Sequence, residues 1–213
     1  GSGDSFVLSL VLALIIVLLF TPLRERVQSL IDRLFFRGRY DYRELLREIS
    51  GKMASILNIS QIRGLLLNVI HDALQVERAS LVLAEGGVFR LYNGEKPDGE
   101  GEPPPGDVIP LIRFLTWEKR PLNRVAVEKL RTDAETREAF AGLFDLLGAV
   151  LVIPIPSREG LAGLICLGQK KSGELFVDED LELLTTMANQ AATAIENAQS
   201  YEALEALNRD LER

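Results

Sequence analysis

The stretch that most constrains this chain is Phe6 to Phe20, apolar throughout except for Ser9 and followed at once by Pro22 and an arginine-rich segment. As an α-helix its fifteen residues rise about 22 Å, short of the roughly 30 Å hydrocarbon core of a bilayer. Residues 4–22 therefore read as a membrane-spanning helix that has lost its beginning, and the leading Gly1 to Gly3 reads as a cloning remnant. A buried helix of a soluble protein and a secretory signal peptide are the alternatives. The second lacks its basic start and its small-residue cleavage site. Asp4 is the only charge before the run, whereas residues 24–43 carry six arginines against three acids. By the positive-inside rule the C-terminal side faces the cytoplasm, so the chain is expected at the inner membrane with its globular part cytoplasmic.

Beyond the apolar run and the helical stretch after it, about 150 of the 213 residues remain, enough for one core of ordinary size. A net charge of −7 excludes a nucleic-acid partner for that part, because phosphate binding needs a basic face. The single cysteine, Cys166, excludes an intrachain disulfide and agrees with a reducing compartment.

Leu23, Val27, Leu30 and Leu34 repeat by fours and threes, and so, after Gly38, do Tyr42, Leu46, Ile49, Met53 and Ile56. The spacing suits a short coiled coil, or amphipathic helices lying on their own domain or on the membrane. The globular part opens at Ser60 as a helix N-cap. Strands are expected at 79–83 and 88–92 around a hairpin turn at 84–87, then a solvated loop without fixed structure from Asn93 to Gly106. A helix at 108–117, a strand at 121–127 and a helix at 133–147 ending at Gly148 follow. The apolar runs 149–155 and 161–167 read as central strands buried on both faces. A last helix begins at Asp178, Glu179 and Asp180, acids suited to its positive end, and meets no breaker up to Arg213. Strands joined mostly by hairpins, with helices on the sheet faces, give an α+β fold.

Val152 to Ile155 (VIPI), Gly160 to Lys171 (GLAGLICLGQKK), Phe176 to Leu184 (FVDEDLELL) and Ala188 to Ala198 (ANQAATAIENA) resemble the C-terminal half of a GAF domain. That likeness covers about residues 60–200 and implies an antiparallel sheet sandwiched by helices. Pro22 to Arg24 and Ile31 to Tyr42 (IDRLFFRGRYDY) are similar to the juxtamembrane stretch of certain bacterial sensor histidine kinases. Together the resemblances imply a membrane helix at 4–22, a helical linker at 23–58, a GAF domain at 59–198 and a signalling helix at 199–213. The helix would lead to a kinase core that phosphorylates itself with ATP and passes phosphate to a response regulator. The sensor of a cyclic-dinucleotide synthase or phosphodiesterase, and a GAF scaffold that binds only protein, are the rival readings.

No catalytic motif stands in the chain: no HExxH, no CxxC and no phosphate-binding GxxxxGK[ST]. His71 reads as an exposed structural histidine and Cys166 as a small core hydrophobe. Gln169, Lys170, Phe176 and Asp180 echo a motif of cyclic-nucleotide-binding relatives, but Gln stands for Asn and Leu181 for Glu, so they read as fold support. No cofactor is identified. An unknown small organic effector is expected in a pocket between the sheet and residues 93–147. Phe114, Trp117, Phe140 and Phe144 would line it, and Arg113, Arg124 or Arg137 would orient an anionic group.

Two chains are expected to pair through the helices at 23–57 and 178–213, using Leu30, Leu34, Leu46, Ile49 and Met53 together with the seam Leu184, Ala188, Ala191, Ile195 and Ala198. Leu204, Leu207 and Leu211 resume the pattern after an irregular step at Tyr201, which could bring two registers close in energy.

Overall fold

The computed structural model describes residues 42–94 and 99–211. The expected membrane helix at 4–22, and Leu30 and Leu34, lie outside the described residues. Among those described, no helix is long and apolar enough to cross a membrane. The elements run α1 Tyr42–Ser55, α2 Ile59–Leu74, β1 Ala79–Glu85, β2 Val88–Asn93, α3 Ile109–Glu118, β3 Leu122–Asn123, α4 Arg124–Val127, α5 Ala134–Leu147, β4 Leu151–Ser157, β5 Gly160–Leu167 and α6 Asp178–Leu211.

The strands form one sheet in the order β2-β1-β5-β4-β3, and every pairing is antiparallel. β1 and β2 join through Gly86 and Gly87, both at positive φ, as a two-residue hairpin turn whose twist matches the strands requires. β5 lies at the centre and crosses β1 so closely that a Cβ on Gly163 would stand 2.2 Å from the Val82 carbonyl oxygen.

Alternation along the strands divides the core into two layers. Leu81, Leu83, Ile153, Ile155, Ile165 and Leu167 face α1, α2 and α6. Val82, Val152, Leu164 and Cys166 face the opposite layer with α3 and α5. An antiparallel sheet between two helical layers is the expected α+β architecture.

Three local expectations need correction. Asn58, rather than Ser60, caps α2, its side-chain oxygen accepting from the Ser60 and Gln61 N–H groups. The strand expected over 121–127 stops after two residues, because the Asn123 side chain accepts from Ala126 N–H and starts the short helix α4. The loop after β2 is pinned over part of its length: Leu91 and Glu102 exchange both backbone hydrogen bonds, 2.7 and 3.0 Å long. That pairing covers the otherwise open edge of β2.

At the other end of the sheet β3 protects only the start of β4. Val152 pairs with Leu122 and the Val150 carbonyl accepts from Arg124 N–H, although the Val150 N–H itself still donates to Leu167 of β5, so from Val152 onward the backbone groups of this parity point away from β5. Pro154 shares that parity. Its missing N–H falls on the open edge, where a proline blocks strand addition.

Candidate functional site

The layer on the α3–α5 face holds most of the expected pocket residues. α5 begins at Asp133, whose carboxylate accepts from Thr136 N–H at 2.7 Å. That hydrogen bond is the leading cause holding the Asp133 pKa down at about 2. α5 closes at Gly148 in the left-handed conformation. Phe140 and Phe144 project from it into the core, 2% and 0% exposed, among Leu111, Leu115, Val152 and Leu164. Phe114 of α3 is half-buried and meets Phe140 with ring centroids 5.5 Å apart and planes tilted by 60°. The Phe114–Phe140 pair is a packing contact of the kind worth about 0.5–1.5 kcal/mol beyond area burial, and Phe144 fills the same core.

The expected arginines do not converge on them. Arg113 is exposed. Arg124 donates to Asp145 at 3.1 Å and lies 3.6 Å from Glu128, and the bond to Asp145 is the first cause raising its pKa. Arg137 donates to the Leu130 and Thr132 carbonyls and so braces the turn before α5. Trp117 stands apart from the aromatic layer, 84% exposed, on the wall of a cleft with Thr116, Pro154, Pro156 and Thr185.

The opposite layer revises the pairing seam. Ile49 and Met53 of α1 are each 1% exposed, and Leu184, Ala188, Ala191, Ile195 and Ala198 of α6 are buried just as fully. All seven belong to the protein's own core, with Leu46 packed half-buried at its edge. The small side chains admit α1 and α2 of the same chain, so this seam is not free for a partner. α6 is 34 residues long, about 51 Å of helix. Past Ala198 its character changes: Tyr201, Leu204, Leu207 and Leu211 are exposed.

Lys170 and Asp180 tie the exit of the sheet to the start of α6. The ammonium lies 2.5 Å from the carboxylate, which also accepts from Val177 N–H at 2.8 Å, while the Phe176 ring centroid is 5.4 Å from the ammonium. Cys166 is buried, and burial pushes its thiol up to about 12, which leaves it unreactive. His71 is exposed, its Nε2 3.2 Å from Lys171 Nζ. Among the described residues no cluster of acids, histidine and cysteine could hold a metal ion.

The family model described as GAF domain matches residues 58–197. No curated protein matches the chain. Among solved structures it is similar to residues 122 to 287 of a methyl-accepting chemotaxis protein, at 18% identity and a TM-score of 0.54, over 73% of this chain and 99% of that one. It is also similar to the GAF domain of a phosphoenolpyruvate-protein phosphotransferase from Coxiella burnetii, at 18% identity and 0.51, over 76% and 96%. The corresponding Acinetobacter domain gives 17% identity and 0.51, over 74% and 93%. At these identities the likeness is one of fold.

Proposed function

Because the chain belongs to the GAF domain family over residues 58–197, we propose that it is the sensory and transmitting segment of a membrane-anchored two-component sensor histidine kinase, acting as a homodimer. Residues 4–22 anchor it in the inner membrane with the GAF domain in the cytoplasm. The output is autophosphorylation of a kinase core and transfer to a response regulator.

The observation that carries the reading is the change of face along α6. Up to Ala198 the helix is held by its own domain, and beyond it Tyr201, Leu204, Leu207 and Leu211 present an apolar stripe to solvent. A projecting helical segment with such a stripe gains stability only by packing, and a second copy at the same height supplies the matching stripe. α1 packs directly on α6, with Ile49 and Met53 in the core cluster they share, which supports a mechanical route from the upstream segment to the output helix. Packed cores favour discrete rearrangements over gradual deformation, so a shift of α1 moves α6 as a unit.

Sedimentation velocity tests the pairing. The native chain should run as a dimer, and Leu204→Glu combined with Leu211→Glu should run as a folded monomer. A native monomer, or a dimer indifferent to both charges, would overturn it. In the full-length protein the same pair should abolish ATP-dependent phosphorylation on histidine; absence of any such phosphorylation in the native protein would remove the kinase assignment.

A further inference from the structure

We propose that the cleft beside Trp117 binds a small organic cation, an alkylammonium or guanidinium compound. The cleft has a volume of about 540 Å³ and lies between the end of α3, the β4–β5 hairpin and the flank of α6. This size suits a small molecule. It wraps the open edge of β4 and is distinct from the filled aromatic layer around Phe140 and Phe144. The hairpin tip closes against α3, since a Cβ on Gly160 would stand 3.8 Å from Thr116.

Two features of the wall select positive charge. First, Trp117 is the only tryptophan and is 84% exposed, although it is the side chain that gains most from burial; an indole face left open beside a cleft is the strongest natural partner for an organic cation. Second, the edge of β4 that lines the cleft is made of Pro154 and Pro156. The outward positions of an open strand normally alternate donors with acceptors. Here both nitrogens lack a hydrogen, so neither proline supplies a donor, and Pro154, on the open side of the strand before the register shift at Ile155 and Pro156, offers its carbonyl oxygen alone, which suits N–H donors and positive charge.

The cations already present do not fill this role. The Arg158 guanidinium is 3.4 Å from Glu196, and its backbone N–H donates to the same carboxylate at 3.1 Å. Lys119, the C-cap of α3, is exposed, and Glu159 also lines the cleft.

Trp117 is its own reporter. Titration with choline and with agmatine should give a saturable change in its fluorescence. Dimethylbutanol, the uncharged molecule of choline's shape, should bind at least about tenfold more weakly, and benzoate should give no response. Calorimetry of Trp117→Ala should show the heat of choline binding lost with the melting temperature unchanged, as expected for a residue outside the core. Equal affinity for choline and dimethylbutanol, preference for benzoate, no response to either cation, or undiminished choline binding by Trp117→Ala would each overturn the proposal.

Discussion

The Tyr92 hydroxyl donates to Glu85 Oε2 at 2.6 Å, and Arg63 reaches the other oxygen of the same carboxylate at 3.2 Å. The guanidinium also lies 3.8 Å above the Tyr92 ring. Burial, then the hydrogen bond to Glu85, push the Tyr92 phenol up to about 12. An unfolded phenol ionises near pH 10, so the contribution of this contact to stability is complete below about pH 10 and is lost as the pH climbs through about 12. Urea midpoints should hold steady up to about pH 9 and fall above about pH 10. Tyr92→Phe should flatten that decline, and an equally steep decline in the variant would refute the assignment.

Gly163 cannot accept a side chain without moving β1. Its Cβ would meet the Val82 carbonyl oxygen at 2.2 Å and the Leu83 side chain at 2.7 Å, in a sheet centre fully packed on both faces. Gly163→Ala should cost roughly 1–3 kcal/mol or more by overpacking, read as a lower urea midpoint. A neutral result would show that β1 and β5 yield easily.

Much of this fold was legible, and the exceptions have physical causes. The runs 149–155 and 161–167 announce buried central strands because both of their faces are apolar, and they became β4 and β5. Gly86 and Gly87 announce their hairpin because only that turn needs two positive φ angles. By contrast, the strand expected over 121–127 was cut short by one side chain, Asn123, whose capping bond outweighs the β-propensity of Val125 and Val127. The Leu91–Glu102 pairing had no local signal, since nothing in a Gly- and Pro-rich stretch specifies a register. The α6 seam was visible as a periodicity, but period alone does not say what a stripe faces. Ala188, Ala191 and Ala198 would look the same packed on α1 of their own chain or on a second copy. Phe140 and Phe144 raised the same ambiguity between lining a pocket and filling a core.

Lys170 and Asp180 are the most withdrawn ion pair described, with side chains 13% and 2% exposed. Breaking such a pair strands a buried charge, so Asp180→Ala should destabilise the domain by about 3 kcal/mol, with the Val177 N–H also losing its acceptor. Combining it with Lys170→Met should cost less than the sum of the two single changes. Strict additivity in urea unfolding would show that the contact carries no coupling.

Ala191 is 0% exposed within its own chain, so Ala191→Glu should unfold the domain instead of yielding a folded monomer. Circular dichroism on heating should show the cooperative transition lost or moved well below that of the native protein. A variant that melts as the native chain does would return the seam to an intermolecular role.

The claim that α6 turns one face inward to Ala198 and another toward a second copy is tested most directly by cysteine cross-linking. Cys166 is buried, with its thiol pushed up to about 12, so it stays silent. Under mild oxidation Leu204→Cys should join two chains by a disulfide, whereas Ala198→Cys should remain unlinked. Linking of Ala198→Cys as fast as Leu204→Cys, or failure of Leu204→Cys to link at all, would contradict the account.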